Sequence, residues 1–248
     1  AGIAGELPEN VELSIQAAVL SPGVPTDIPL VNRMRDRGVQ ILGEIELGFL
    51  AEQGRVIAIT GTNGKTTTTT LTGEIMKAHF GKDKTFVVGN IGNPYTLEAD
   101  KTSKDSVTVG EISSFQLETI HTFHPVVSAI LNITPDHLNR HHTMEAYVAA
   151  KEAVASQQTK ADICVLNYDN DYTRDFAGRC PATPVLFSSH QELENGYFLR
   201  GDKIIKSVNG EEHELMDIHK DMNLVGLCNV ENVMAAIAIA EGMQVPME

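Results

Sequence analysis

Residues 55–67 join a buried-strand pattern to a glycine-rich turn and a lysine, and this stretch constrains the fold more than any other. The run at 56–59 is short, apolar and largely β-branched, which is typical of a central strand in a parallel sheet. Gly61 and Gly64 tolerate positive φ, so successive backbone N–H groups can converge on an anion. A strand, a phosphate-binding turn and a helix start in this order predict a P-loop within an α/β fold.

The residues that follow the turn fit a nucleotide site. A helix starting at the lysine would add its N-terminal N–H groups and its dipole to the anion cradle. Lys65 would reach the β- and γ-phosphates of ATP, and the Thr66 hydroxyl could ligate Mg²⁺. Ile59 stands where the general P-loop pattern has a glycine, so a glycine turn with a solvated lysine is the alternative. The residues expected to bind the nucleotide are Gly61, Thr62, Asn63, Gly64, Lys65, Thr66 and Thr67.

The chain after this turn predicts alternating strands and helices. Apolar runs typical of buried strands occur at residues 85–88, 106–109, 126–131, 163–166 and 184–187. Helical patterns occur at residues 66–80, 143–158 and 229–242. Residues 197–216 indicate an antiparallel β-meander, because Asn209 and Gly210 form a strong hairpin signal. We therefore predict a P-loop parallel sheet flanked by helices, with an antiparallel β-meander.

The first 54 residues predict a smaller α/β unit. Short strand, helix and strand patterns occur at residues 17–20, 29–37 and 39–42. Two strands and a helix make half a sheet at most, so we expect part of a small Rossmann-like domain. The predicted division is residues 1–54 and residues 55–248, the second being the ATP-binding domain. The chain starts at Ala1 without a methionine, which suggests processing or a fragment.

Polar side chains follow four strands of the predicted parallel sheet. Ligand sites lie beyond the carboxyl ends of such strands, so these four loops should meet on one edge. Glu111 comes just after a strand, where the second metal ligand of a P-loop protein belongs, although a helix-capping role is the alternative. His137 follows Asp136 in another of these loops and could face the phosphates.

Histidines cluster at residues 137–142. His137 and His141 have the i,i+4 spacing of a zinc site, but no matching carboxylate motif follows, so zinc is the weaker interpretation. We expect His141 and His142 to be exposed surface histidines instead.

Lys151 falls on the apolar stripe of the predicted helix at residues 143–158, for which Thr143 is a candidate N-cap. The side chain could extend along the helix until its ammonium reaches water. It could instead be held inward with an altered pKa for a functional reason. The pattern leaves both possibilities open.

Composition excludes several classes of function. The formal net charge of −14 repels polyanions, so extended nucleic-acid binding is not expected. Cys164, Cys180 and Cys228 are too few and too scattered for a disulfide framework or a cysteine-based zinc site, which fits a reducing cytoplasm. No apolar run reaches membrane-spanning length, so we expect a cytoplasmic protein without membrane insertion.

Four segments together resemble the Mur ligases of bacterial cell-wall synthesis. They are TGTNGKTT at residues 60–67, EISSFQL at 111–117, NITPDH at 132–137 and YVAAK at 147–151. The family form of the phosphate loop also lacks the early glycine, which accounts for Ile59. EISSFQL, with SPGVP at 21–25 and GEIEL at 43–47, is similar to the ligases that add D-glutamate to UDP-N-acetylmuramoyl-L-alanine.

The resemblance implies an ATP-dependent amide ligase that works through an acyl phosphate and releases ADP and phosphate. Lys65 would neutralise charge on the transferred phosphoryl group, while Thr66 and Glu111 would hold a first Mg²⁺. His137 would help to hold a second Mg²⁺. Lys151 matches a lysine that reacts with CO₂, and its carbamate would face that second ion. The implied catalytic residues are Lys65, His137 and Lys151.

The resemblance also implies residues that bind the substrates. Ser21, Asn90 and Ser113 match family positions that contact the UDP-sugar. Asn229 and Asn232 match positions near the adenine of ATP, although a helix N-cap explains Asn229 equally well.

By the same resemblance, residues 1–54 would be an incomplete UDP-substrate-binding domain and the family's C-terminal domain would lie after Glu248, so we expect a fragment without full turnover. One alternative is another ligase of the superfamily, such as a folylpolyglutamate synthetase. The other is a P-loop nucleotide-dependent binding or switch module, which would need neither His137 nor an inward Lys151.

Overall fold

The computed structural model of the chain describes residues 14–223 and 226–247. The parts of the two predicted domains at residues 1–13, 224–225 and 248 therefore lie outside the described residues. Within the described ranges, no helix is both long enough and apolar enough to cross a membrane.

The strands in the described ranges form a two-stranded sheet and a nine-stranded sheet, and their bounds lie within two residues of the predicted runs. They are β1 (Ala17–Leu20), β2 (Gln40–Gly43), β3 (Arg55–Thr60), β4 (Thr85–Gly89), β5 (Val107–Glu111), β6 (Val127–Ile130), β7 (Ile163–Asn167), β8 (Thr183–Ser188), β9 (Gly196–Arg200), β10 (Lys203–Val208) and β11 (Glu211–Asp217). The large sheet has the order β11-β10-β9-β8-β7-β6-β3-β5-β4. Neighbours pair in parallel from β4 to β9, and β9, β10 and β11 form the predicted antiparallel meander.

The described α-helices are α1 (Pro29–Asp36), α2 (Glu44–Ala51), α3 (Lys65–Phe80), α4 (Tyr95–Glu98), α5 (Ser114–Leu117), α6 (Leu138–His141), α7 (Met144–Glu152), α8 (Asp171–Ala177), α9 (Ile218–Asp221) and α10 (Leu227–Gly242). The α8 helix follows a turn at residues 168–170, and the Asn170 side chain caps it by accepting from the Thr173 N–H. The α7 helix ends earlier than predicted and continues as a 3-10 turn at Ala153–Ala155. Thr143 caps α7 as predicted.

The first unit has its own small core. β1 and β2 pair in parallel, and α1 places Val31 and Met34 against Val39 and Ile41. These two strands pair with each other and not with the large sheet in the described ranges. The domain division at Arg55 stays a prediction that this arrangement favours.

β3 is buried on both faces, which explains its continuous apolar run. Ile57 and Ile59 face the cluster that contains Met234 of α10. Val56 faces the opposite cluster, which contains Tyr147 of α7. Helices therefore cover both faces of the sheet around the strand that leads into the phosphate turn.

The run of five threonines forms part of α3 in spite of its low helix propensity. Thr68, Thr69 and Thr72 are fully buried, and the helix packs against α10 and β5. Tertiary packing therefore overrides local propensity in this helix. Because β6, β3, β5 and β4 are neighbours in parallel, their carboxyl ends lie on one edge, as predicted.

Candidate functional site

The phosphate turn contains two glycines in conformations that other residues rarely adopt. Gly61 has φ of +152° and Gly64 has φ of +85°, and α3 begins at Lys65. Asn132, which follows β6, holds the turn from the neighbouring strand. Its side-chain oxygen accepts from the Asn63 N–H at 2.8 Å, and its amide donates to the Asn63 carbonyl at 3.1 Å.

Lys65 folds back over the turn. Its Nζ donates to the carbonyl oxygens of Gly61 and Thr62, both at 2.9 Å. Burial lowers the pKa of Lys65, while the carboxylates of Glu111 and Asp136 act in the opposite direction. The ammonium therefore lies at the turn with two carboxylates close enough to influence it.

Lys151 is held inward and is only 2% exposed. Its Nζ donates to the same Gly61 carbonyl at 2.7 Å and lies 4.8 Å from the centre of the Tyr147 ring. Burial first, and then the Lys65 ammonium, lower the pKa of Lys151 to about 7, against the opposing effect of Asp136. A large share of this amine is therefore neutral at neutral pH.

Glu111 ends β5 and is 1% exposed. Its Oε1 accepts from Asn90 Nδ2 at 2.7 Å, whereas its Oε2 has no partner among the described residues. The helix-capping alternative is wrong, because Ser113 caps α5 by accepting from the Gln116 N–H. A buried carboxylate oxygen without a donor is costly unless a cation or a proton satisfies it, so Glu111 fits a metal ligand.

His137 lies just before α6 with φ of +52°. Its ring centre is 4.9 Å from that of Phe115 and 6.4 Å from that of Tyr147. The Tyr147 hydroxyl lies 3.1 Å from the Thr62 hydroxyl, which joins this aromatic group to the phosphate turn. His137 Nε2 lies 3.4 Å from a carboxylate oxygen of Asp136, and the His137 side chain is 49% exposed.

His141 is buried, so its expected exposure is wrong. Its Nε2 lies 2.9 Å from Ser114 Oγ, and burial lowers the pKa of His141. In the described part of the chain, His137 and His141 do not belong to a group of three or more acidic, histidine or cysteine side chains whose ligand atoms converge, so the zinc interpretation gains no support. His142 is exposed, as predicted.

In the described ranges, one group of acidic and histidine side chains brings its ligand atoms within 4.8 Å of one another: Asp169, His190 and Glu231. The Ser189 hydroxyl donates to Glu231 at 2.6 Å, and His190 Nδ1 lies 3.2 Å from the Asp169 carboxylate. Asp169 and His190 are therefore bonded to each other, and Glu231 is bonded to the neighbouring Ser189.

Asn232 packs against the phosphate turn. Its Oδ1 accepts from the Thr68 hydroxyl at 3.2 Å, and a Cβ atom on Gly64 would lie 2.3 Å from that oxygen. Its Nδ2 donates to Asn229 Oδ1 at 3.3 Å. The N-cap alternative for Asn229 is wrong, because Gly226 is the N-cap of α10 and Asn229 lies inside the first turn.

The three residues expected to bind a UDP-sugar lie in separate loops. Asn90 donates to Glu111, and the Ser113 hydroxyl takes part in the cap of α5. Ser21 is exposed after β1 and lines a shallow groove together with Arg140. Their role in substrate binding stays a prediction.

Three residues at the site had no predicted role: Asn132, Asp136 and Tyr147. Asn132 holds the turn, Asp136 influences both lysines, and the Tyr147 ring lies beside the Lys151 ammonium. Tyr147 was indistinguishable from a core residue of an apolar stripe. Asn132 stands directly after a buried strand, and that position is the signal that could have identified it.

The site combines features for an anion and for a cation. The N–H groups of the turn and the Lys65 ammonium suit a phosphate. The free oxygen of Glu111 and the exposed Thr66 hydroxyl are the oxygen ligands that Mg²⁺ prefers. The arrangement can therefore bind a phosphate chain together with a divalent cation.

Comparison with known proteins gives matches over almost the whole chain. Residues 59–240 match the family described as Mur ligase middle domain. The chain is 53% identical to UDP-N-acetylmuramoylalanine--D-glutamate ligase of Lachnoclostridium phytofermentans, and 47% identical to the protein of the same name from Clostridioides difficile. Each of these matches covers 99% of this chain and 54% of the relative. The chain thus spans about half the length of the curated relatives it matches.

Solved structures share the fold at lower identity. A UDP-N-acetylmuramoyl-L-alanyl-D-glutamate--2,6-diaminopimelate ligase matches with a TM-score of 0.65 at 20% identity, over 95% of this chain and 59% of that one. A MurF ligase from Thermotoga maritima, solved in complex with ADP, matches with a TM-score of 0.56 at 15% identity, over 96% of this chain and 63% of that one. These structures show the fold alone. The match over residues 59–240 shows more: the chain belongs to the Mur ligase family.

Proposed function

We propose that the chain is the ATP-binding part of an amide ligase that adds D-glutamate to UDP-N-acetylmuramoyl-L-alanine in peptidoglycan synthesis. The observation that carries the proposal is the meeting of Lys65, Lys151 and Glu111 at the phosphate turn. The names of relatives that are 41% to 53% identical support this pair of substrates.

The proposed reaction makes a good leaving group before it makes the amide. The substrate carboxylate attacks the γ-phosphorus of ATP, the bond to ADP breaks, and an acyl phosphate forms. The amine of D-glutamate then attacks the acyl carbon, phosphate leaves and the amine's proton passes to water. Lys65 would exchange its bonds to the Gly61 and Thr62 carbonyls for phosphate oxygens, and would so stabilise the charge on the transferred group.

Two divalent cations are part of the proposal. Thr66 and Glu111 would hold the first, and the unpaired Oε2 of Glu111 supports that assignment. His137 and a carbamylated Lys151 would hold the second. When bound, Mg²⁺ neutralises charge on the phosphate oxygens. Asn90 restrains Glu111 through the other carboxylate oxygen, which limits the rotation of the side chain.

The proposed carbamate of Lys151 depends on a neutral amine. Its nitrogen attacks the carbon of CO₂, an N–C bond forms, and one proton passes to solvent. The neutral amine becomes an anion, so the Lys65 ammonium, which repels the protonated form of Lys151, attracts the carbamate. A pKa of about 7 supports the reaction, because it leaves a reactive share of free amine near neutral pH.

The remaining assignments follow from the family. Ser21, Asn90 and Ser113 would bind the UDP-sugar, and Asn229 and Asn232 would lie beside the adenine. We place the reaction in the cytoplasm, where the free cysteines of the chain would remain reduced.

Nucleotide binding is tested on the chain itself by calorimetric titration with ADP and Mg²⁺. We expect ADP binding that requires Mg²⁺ and is lost in Lys65→Ala. Lys77→Ala is the matched control, because Lys77 lies on the same helix and pairs with Glu74 at the surface. If Lys65→Ala bound ADP as tightly as the parent chain, the assignment of the phosphate turn as the nucleotide site would lose its basis.

Ligase activity is tested in a chimera in which this chain replaces the matching segment of the L. phytofermentans relative. With ATP, Mg²⁺ and UDP-N-acetylmuramoyl-L-alanine present, phosphate release should require D-glutamate. Release that ignores D-glutamate would favour the switch module instead.

A further inference from the structure

Arg140 makes an ion pair that is almost excluded from water. Its side chain is 11% exposed and that of its partner Glu118 is 15% exposed. The guanidinium donates to both Glu118 oxygens, from Nη2 at 2.7 Å and from Nε at 3.2 Å. This two-point contact fixes the plane of the guanidinium.

The same pair connects the first unit to the large sheet's loops. Arg140 Nη2 also donates to the Val24 carbonyl at 3.0 Å, and the Thr26 hydroxyl donates to Glu118 Oε2 at 3.2 Å. Both contacts lie in the loop after β1 that begins with Ser21, the residue expected to bind substrate. Arg140 therefore attaches that loop to α6, and a weaker contact joins Asp27 of the same loop to His142 at the end of the helix, at 3.4 Å.

The flat face of Arg140 is occupied as well. The guanidinium carbon lies 4.9 Å from the centre of the Phe115 ring, within the range of a cation–π contact. The Phe115 ring in turn lies 4.9 Å from the His137 ring. Glu118, Arg140, Phe115 and His137 thus form a continuous row of contacts.

We propose that Arg140 is a positioning residue. Held by Glu118, it fixes Phe115 against His137 and ties the loop at residues 21–26 to the imidazole that we propose as a metal ligand. This inference rests on the proposed function for the role of His137, but the row of contacts can be tested without it. Lysine cannot replace Arg140, because a single ammonium has neither the fork for two carboxylate oxygens nor a flat face for the ring.

The first test reads the position of His137 in the metal-free chain. The ring protons of His137 lie beside Phe115, so their NMR signals carry a ring-current shift, and His137→Gln identifies them by their loss. In Arg140→Lys we expect these signals to move toward the position of an exposed histidine, together with the amide signals of residues 24–26. Glu118→Gln keeps one acceptor oxygen for Arg140 and changes the packing less than Arg140→Lys does. It should therefore move the same signals in the same direction, but by a smaller amount.

Arg200 provides a matched control at a distance from the site. It also bonds two carboxylates, Glu192 and Glu212, and its guanidinium lies 5.2 Å from the Phe198 ring. Arg200→Lys should leave the His137 signals where they are. Unchanged His137 signals in both Arg140→Lys and Glu118→Gln would overturn the proposal.

The second test measures Mn²⁺ affinity in the presence of ADP. Loss of a residue that orients a metal ligand weakens metal binding by about tenfold or more, so Arg140→Lys should show that loss and Arg200→Lys should not. A chain that binds neither ADP nor Mn²⁺ would refute the proposed function, and the NMR result would still decide the role of Arg140. Wild-type Mn²⁺ affinity in Arg140→Lys would refute the link to the metal.

Discussion

Lys151 shows what one residue's pattern can and cannot predict. Its place on an apolar stripe marked it as unusual, but the stripe alone allowed either an inward or an outward ammonium. The structure places Nζ on the Gly61 carbonyl, 90 residues away along the chain. Contacts between such distant residues set its pKa, and a local pattern contains no information about them.

The depressed pKa of Lys151 predicts a pH-dependent stability. The folded-state pKa of about 7 lies below the ordinary 10.5, so between these values the unfolded chain binds more protons and stability rises with pH. Lys151→Met should therefore be more stable than the parent chain near pH 6.5, and the difference should shrink towards pH 10, by at most about 1.4 kcal/mol per pH unit. Urea unfolding at several pH values measures it, with the exposed Lys104→Met as control. If the free energy of unfolding had the same pH dependence in Lys151→Met and in the parent chain, the depressed pKa of Lys151 would be contradicted.

At the scale of elements, the strand-turn-helix unit was predictable because each part depends on nearby residues. The strand run, the glycines and the lysine specify β3, the turn and the start of α3. The support for the turn was not predictable, because Asn132 and Asn232 reach it from other elements.

Gly64→Ala tests the contact between the turn and α10. The new Cβ would lie 2.3 Å from Asn232 Oδ1, at a φ of +85°. Gly38 has a similar φ of +79° with nothing within 4 Å, so Gly38→Ala has the backbone strain without the clash. The strained φ should cost each variant about 1–2 kcal/mol of stability, and Gly64→Ala should lose more because of the clash. Only Gly64→Ala should also lose ADP binding. Equal ADP affinity in the two variants would show that Asn232 does not restrain the turn.

Thr69→Val tests the packing of the threonine helix. The Thr69 hydroxyl is buried without a partner in the described part of the chain, so its removal should leave stability unchanged or raise it by up to about 1 kcal/mol. Thr68→Val removes the hydrogen bond to Asn232 and should cost about 1 kcal/mol. Thermal unfolding compares the stabilities of the two variants. An equal loss of stability in both would mean that the Thr69 hydroxyl has a hydrogen-bonded partner.

Across the whole molecule, the order of the strands brings four polar loops to one edge, which the alternation of strands and helices predicted. The contacts that join the first unit to this edge were not predictable. Arg140 and Val24 are 116 residues apart, and nothing local to either indicates the other. Glu46 of α2 makes a second connection, accepting from the backbone N–H groups of His121, Thr122 and Phe123 at 2.8, 2.7 and 3.1 Å.

Glu46→Gln should weaken this connection in a pH-dependent way. Burial alone would raise the pKa of Glu46, but the Thr122 hydroxyl and the three N–H groups outweigh it and lower the pKa below 4.5. The stabilisation is therefore present above pH 4.5 and is lost as the pH falls through the folded-state pKa. We expect Glu46→Gln to lower the free energy of unfolding by about 1–3 kcal/mol at pH 7, and by less in acid. Urea unfolding measures this loss, with Glu145→Gln as the exposed control. A cost independent of pH would refute the role of the charge.

The central claim is that the phosphate turn and Glu111 form one site for a nucleotide and a divalent cation. A crystal of the chain grown with ADP and Mn²⁺ tests it directly, because Mn²⁺ can be located by its anomalous scattering. We predict ADP phosphates on the N–H groups of residues 61–66, with a Mn²⁺ peak in contact with Thr66 and the free oxygen of Glu111. A Mn²⁺ peak only at Asp169, His190 and Glu231, or ADP bound away from the turn, would contradict the account.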